Sequence, residues 1–362
     1  MEIHQLLPSL NDGDAVGNHA IDIQRVMRSW GYESEIFVGG AQEKVAHLCH
    51  PIRKHGRHRS PENMLIYHHC IGGTDAFKYF LTVPDRKILL YHNITPAHYF
   101  AEFNQEVFEA AKEGRRELDR LKDVVCTAWG VSAYNCEELK ERGFRNVRVL
   151  PIAINLERLD SVAPNAYVMD FFDDGYQNLL FVGRITPNKR QDQLIRVFAY
   201  FQKEIERRSR LFIVGGYGGM EPYCNHLLRI MGEKKTGNII LSGHVSLDEL
   251  VAYYRLADVF VCLSEHEGFC VPLLESMHFD VPIVALDSTG VTATLGGAGI
   301  LVKDSSEVTV SASLTALLSQ KEQRDAIVEK QRIRLHDFDK AEIDSLLHHR
   351  IQELIVSAQK QS

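Results

Sequence analysis

At 362 residues the chain exceeds one typical domain and suits two of about 150–180 residues each. A hydrophobic content of 45% beside 25% charged residues excludes a disordered or fibrous chain, and a net charge of −7 argues against nucleic acid as a partner. Seven cysteines, an odd number without a C-x-x-C pair, read as small buried apolar residues in a reducing compartment. The first residues show no signal peptide and no stretch reads as a transmembrane span, so the expected location is cytoplasmic.

Short apolar runs alternate with helical periodicity along nearly the whole chain, the pattern of parallel sheets with crossover helices. In the first half, strands are predicted at 3–7, 36–38, 64–67, 87–91, 124–127 and 147–150. In the second half they fall at 179–182, 211–214, 239–241, 259–263, 282–286 and 300–302. No low-complexity linker separates the halves. The expected boundary lies within 155–177, where Pro164 precedes the acidic run 170–175. The predicted domains are 1–158 and 159–339, followed by a last helical pattern at 340–362 carrying Ile343, Leu346, Leu347 and Ile351. Both read as Rossmann-like.

Open α/β sheets bind ligands beyond the carboxyl ends of their strands, so candidate residues are sought directly after the apolar runs. The first loop holds Gly13 and Asp14. A glycine-containing loop at a helix start can cradle phosphate, but this one lacks both the G-x-G-x-x-G and the P-loop spacing, and a plain helix cap reads equally well. His68 and His69 follow the 64–67 run and suit an acceptor pocket. His92 follows 87–91, either as a hydrogen-bonded structural residue or as a catalyst. A zinc site from His68, His69, His92 and Cys70 is conceivable but lacks recognised ligand spacing. Two basic stretches, 53–59 and 112–122, suit a solvated charged face or a patch meeting anionic lipid headgroups.

In the second half, Gly183 lets the backbone turn beneath a ligand, while Arg184 and Lys189 can converge on one anion. Arginine brings a planar fork of donors and lysine a compact charge. The most informative stretch is Ser264-Glu265-His266-Glu267-Gly268-Phe269-Cys270-Val271-Pro272-Leu273-Leu274-Glu275. A buried strand leads into it, and Pro272 suits the first position of a helix. Amides around Leu273 and Leu274 would then face the turn, where a helix end carries about half a positive charge and seats a phosphate. Glu275 leans back toward that seat and Glu267 lies in the turn opposite, so one carboxylate flanks each side, ready to accept from sugar hydroxyls.

The pattern Ser-x-x-Glu-Gly-Phe-x-x-Pro-x-x-Glu resembles the signature of the retaining, family-four glycosyltransferases of the GT-B type. The resemblance runs along nearly the full chain and is densest from 182 to 302. It departs at Cys270, where the family usually has glycine, and at Thr292-Ala293, where many members have Pro-Glu. It implies two Rossmann-like domains facing across a cleft, with the terminal helix packing back on the first. It places Glu267, His92, Arg184 and Lys189 at the chemistry. Donor contacts are implied at Gly13, Gly183, Val245, Gly268, Phe269, Cys270, Leu274 and Glu275. His68, His69 and Asp14 stand on the acceptor side. The implied partners are a UDP- or GDP-sugar and a glycan or lipid-linked acceptor, with no cofactor beyond the nucleotide sugar. A nucleotide-sugar 2-epimerase and a non-catalytic two-domain sugar-nucleotide binding protein are the competing readings. Fold alone does not separate them.

Overall fold

The computed structural model describes residues 1–359, which divide into two compact units. One comprises Met1–Ala97, Glu106–Ile154 and the chain from Phe338 onward; the other comprises His98–Gln105 and Asn155–Asp337. The division thus falls at 154/155, where the sequence suggested 158/159, and the short piece 98–105 belongs with the second unit. Residues 360–362, the end of the predicted last helix, lie outside the described residues.

In the first unit seven strands form one parallel sheet: β1 (Ile3–Leu10), β2 (Ile36–Ala41), β3 (His50–Pro51), β4 (Met64–His69), β5 (Arg86–Tyr91), β6 (Thr127–Gly130) and β7 (Val147–Val149). Their order is β3-β2-β1-β4-β5-β6-β7. Helices cover both faces of such a sheet, so central strands run apolar without alternation. Met64, Leu65, Ile66 and Tyr67 of β4 are all fully buried. The helix Lys340–Gln359 belongs to this unit, buries Ile343, Leu347 and Ile351, and accepts at the Leu354 carbonyl a hydrogen bond from Arg86 (2.7 Å). One strand is displaced from expectation. The run 124–127 mostly serves to end the helix Gln105–Leu121, because the amides of Val124 and Val125 both donate to the Leu121 carbonyl. The strand begins at Thr127, and it is Ala128 and Trp129 that enter the core.

The second unit is a six-stranded parallel sheet of β8 (Gln177–Val182), β9 (Ser209–Val214), β10 (Ile239–Gly243), β11 (Val259–Cys262), β12 (Ile283–Leu286) and β13 (Ile300–Val302). The order β10-β9-β8-β11-β12-β13 reverses between β8 and β11, which pair directly. In the first unit the reversal lies between β1 and β4. Crossovers leave such a switch point on opposite faces, so a crevice opens between the two strand exits. The loops after β8 and β11 carry Lys189 and Glu267; those after β1 and β4 carry Gly13 and Cys70.

Candidate active site

The turn after β11 is stitched to its neighbours by the backbone. Asn188, wholly inside, donates from its side chain to the His266 carbonyl (2.9 Å) and accepts at its own carbonyl from the Glu265 amide (2.9 Å). From the other side, Thr289 accepts from the Glu267 amide (2.9 Å), and the Gly290 amide donates to the Glu267 carbonyl (3.0 Å). A Cβ at Gly290 would stand 2.5 Å from the Gly268 carbonyl oxygen, so only glycine fits there. Three strand exits are thereby locked around one acidic side chain.

That side chain meets a cation. Lys189 Nζ donates to Glu267 Oε1, and the Ser264 hydroxyl donates to the same oxygen (2.9 Å). Burial works against a charge on Lys189, yet the Glu267 carboxylate outweighs it and the ammonium pKa is raised. Arg184, on the same loop as Lys189, is exposed at the strand exit. Arg190 turns elsewhere: in a left-handed conformation (φ 52°), it pairs with Glu265 and Asp192.

The helix after this turn, Val271–His278, has Pro272 in its first turn but begins one residue earlier than expected. Cys270 caps it at φ 75°, a left-handed conformation that costs a non-glycine residue about 1–2 kcal/mol and explains why glycine is common there in the resembling family. The Leu273 amide is not open to a ligand, because it donates to the Cys270 carbonyl (3.1 Å). Leu274 is fully buried and its side chain is core. Phe269 is buried too, its carbonyl accepting from Thr294 (2.5 Å).

Glu275 is only 4% exposed, and burial raises its pKa, opposed by the hydrogen bond it accepts from the Tyr254 hydroxyl (2.8 Å). Arg158 lies 3.7 Å from its other oxygen. Gly183 directly follows β8, its amide donating to the Val214 carbonyl (2.9 Å). Val245 sits half-buried in the loop after β10.

In the first unit, Gly13 is exposed at φ 74°, and Asp14 caps the helix Ala15–Ser29 by accepting from the Gly17 amide (3.3 Å). His68 and His69 are fully buried, which corrects their expected place as pocket-lining acceptor residues. Both face into the sheet unit because β4 is a central strand covered on each side. His68 lies 3.0 Å from His92 and 2.9 Å from Gln5, and His69 lies 3.0 Å from the Gly114 carbonyl. Their ring nitrogens are thus occupied, and the zinc arrangement with His92 and Cys70 does not form. Beside them, Glu117 is nearly sealed, accepts from the Gly73 amide (2.9 Å), and is pushed by burial up to about 7.

The basic stretch 112–122 is largely neutralised within its unit: Arg115 pairs with Glu138, Arg116 with Glu113 (3.6 Å), and Arg120 lies over the Phe77 ring. In 53–59, His55 is buried against Tyr79 and Arg59 donates to the Thr82 carbonyl. Among the described residues no helix is long and apolar enough to cross a membrane.

Two groups of described residues bring metal-ligand atoms together, Glu2 with His4 and His58, and Cys262 with Glu267 and Cys270. In the first, His4 Nδ1 accepts from the Glu35 amide, so its Nε2 carries the proton that Glu2 accepts and has no lone pair to give. In the second, Glu267 is already held by Lys189.

Solved structures share this architecture over its whole length. Sucrose-phosphate synthase from Thermosynechococcus elongatus superposes with a TM-score of 0.76 at 14% identity, covering 99% of this chain and all of that one. The Anabaena HepE protein in complex with UDP-glucose gives 0.77 at 12% identity, covering 98% and 100%. The fold is GT-B. Residues 170–334 match the family model of the group 1 glycosyl transferases, a stretch that takes in strands β8 to β13. A D-inositol 3-phosphate glycosyltransferase from Kineococcus radiotolerans is 32% identical over 41% of this chain and 38% of its own length. The Escherichia coli O-antigen chain mannosyltransferase B is 30% identical over 37% and 35%. The chain therefore spans less than half the length of these curated relatives.

Proposed function

We propose that the chain is a retaining glycosyltransferase, similar to family four, that moves a sugar from a nucleoside diphosphate donor to a hydroxyl of a glycan or lipid-linked acceptor. The observation that carries this reading is the Lys189–Glu267–Ser264 cluster at the β8/β11 switch point, with Arg184 exposed on the same loop. Arg184 and Lys189 stabilise charge building on the departing diphosphate, a preorganised electrostatic role that usually dominates catalysis. Glu267 orients the sugar hydroxyls. Glu275, held by Tyr254, receives the ribose diol. With the Leu273 amide engaged, the diphosphate seat rests more on these cations than on the helix end. Front-side displacement follows, the departing phosphate oxygen taking the acceptor's proton. Gly13 is read as a donor contact and His92 as a contact to the transferred sugar. The donor is read as a UDP- or GDP-sugar, and the HepE protein of the same fold is a complex with UDP-glucose.

A panel of nucleotide sugars, screened by thermal shift and then by mass spectrometry of products with and without acceptor alcohols, tests the reading. A donor that stabilises the protein and yields a glycoside of unchanged anomeric configuration supports it. Epimerised donor without acceptor would identify a 2-epimerase, and binding without turnover a carrier.

A further inference from the structure

The buried histidines of the first unit form a directed chain of hydrogen bonds, and its direction follows from donor counting alone. Gln5 Nε2 donates to the Ala20 carbonyl (2.9 Å), which fixes the amide with its oxygen on the other side. That oxygen, Gln5 Oε1, lies 2.9 Å from His68 Nε2. An amide oxygen only accepts, so His68 Nε2 carries the proton. A neutral imidazole has one N–H, which leaves His68 Nδ1 with its lone pair. His92 Nε2 stands 3.0 Å from that lone pair and must be the donor. His92 is consequently an Nε2–H imidazole whose Nδ1 is bare. Turning the chain round would set the Gln5 oxygen against the Ala20 oxygen at 2.9 Å, two acceptors face to face.

The rings are neutral for a physical reason. His68 is fully buried and burial holds its pKa well below the usual histidine range; burial does the same to His92, with help from the neighbouring histidines. The two rings lie nearly coplanar, 14° apart with centroids 5.2 Å from each other, while His19, pushed down to about 3 by burial, stands edge-on to His92 at 5.6 Å. His92 Nδ1 has no hydrogen-bond partner among the described residues. Leaving a buried acceptor unmet costs about 1–3 kcal/mol, a penalty relieved by any incoming O–H.

We propose that Gln5 and His68 are positioning residues that hold His92 in the Nε2–H tautomer, keeping its Nδ1 as an acceptor for a substrate hydroxyl. The role in transfer rests on the glycosyltransferase reading; the tautomer does not. With this proton arrangement His92 receives a hydrogen bond, or a proton, at Nδ1 and cannot donate from it. If Nδ1 takes a proton, the Nε2–H bond to His68 is retained and steadies the charged ring. Neither Gln5 nor His68 touches the substrate.

Two-bond proton–nitrogen NMR of the wild-type chain, labelled at histidine and free of ligand, reads the tautomer directly. The His92 signals are assigned by their loss in His92→Gln. The expected spectrum shows His92 Nδ1 unprotonated and Nε2 protonated, and the opposite pattern overturns the proposal without any further variant. Gln5→Met keeps the side-chain length and removes the acceptor. It should give mixed tautomers at His68 and His92, and a kcat about tenfold lower, the effect of one hydrogen bond, with little change in KM for the donor. Loss of activity in Gln5→Met with an unchanged His92 spectrum would show that Gln5 is merely structural, and also overturns the proposal. A wild-type chain with the expected spectrum but no transferase activity upholds the tautomer assignment and removes the glycosyltransferase reading instead.

Discussion

Lys189 and Glu267 are 78 residues apart in the chain and share one ion pair at the point where the second sheet reverses its strand order. Without a donor each neutralises the other, so the site is assembled before substrate arrives. Both side chains are mostly buried, and removing one partner leaves an uncompensated charge. Glu267→Ala should therefore abolish transfer and also cost about 2–4 kcal/mol of stability. Lys189→Ala and Arg184→Ala should each lower kcat by about 10²–10³-fold, the scale of losing one donor to developing charge. Only the lysine variant should also be less stable, because Arg184 is exposed. Urea melts beside steady-state kinetics check this; equal stability of the two variants would remove the structural half of the argument.

The Tyr254–Glu275 hydrogen bond gives a second expectation. Tyr254 is fully buried and its hydroxyl reaches the Glu275 carboxylate at 2.8 Å. Tyr254→Phe should cost about 1–2 kcal/mol and raise KM for the nucleotide sugar with kcat nearly unchanged, because the carboxylate loses its orienting partner. Glu275→Gln should keep the fold and raise KM further. A fall in kcat alone in both variants would place Glu275 at the sugar instead of the ribose.

Much of this architecture was legible from the chain. Buried parallel strands are continuous apolar runs, and every predicted strand overlaps an observed one by three residues or more except 124–127, which shares only Thr127 with β6. The exception had an apolar start that the structure uses to finish a helix. The two-residue edge strand His50–Pro51 carries no periodicity and was invisible. At the site, the motif pointed to Glu267 and Lys189 because both follow strands. Their ion pair depends on which strands are neighbours, and that is a tertiary fact. Gln5 read as an ordinary strand residue, since a polar side chain within β1 gives no local sign of a histidine three strands further along the chain. Tyr254 and Glu117 lie inside helices whose periodicity marks them as inward-facing, without telling which carboxylate or histidine they meet. His68 and His69 were misplaced for a related reason: a histidine at a strand end looks like a loop residue until the strand proves two residues longer.

Activity should survive EDTA. On the proposed reading the cations of Arg184 and Lys189 serve the diphosphate in place of a divalent ion, and the Glu267 carboxylate is already paired. Transfer measured after chelation and gel filtration should equal the untreated rate. Loss restored by manganese or zinc would contradict this, and loss on adding zinc to untreated protein would point to Cys262, Cys270 and Glu267, whose ligand atoms lie within 4.8 Å of one another.

Glu117 predicts how stability depends on pH. Burial lifts its pKa from an ordinary 4.5 to about 7, while the Gly73 amide bond works weakly the other way. Between those values the folded chain keeps a proton that the unfolded chain has released. Stability contributed through this group is therefore full below about pH 4.5, falls as pH rises toward 7, and is flat beyond. Glu117→Gln keeps an oxygen for the Gly73 amide and stays neutral throughout. Near pH 5 it should match wild type closely, and at pH 8 it should be the more stable protein by about 2 kcal/mol. Urea unfolding of both proteins at the two pH values gives the comparison. A variant equally destabilised at pH 5 and pH 8 would mean that Glu117 is ionised in the folded chain, held by Gly73 and His69 rather than kept neutral by burial.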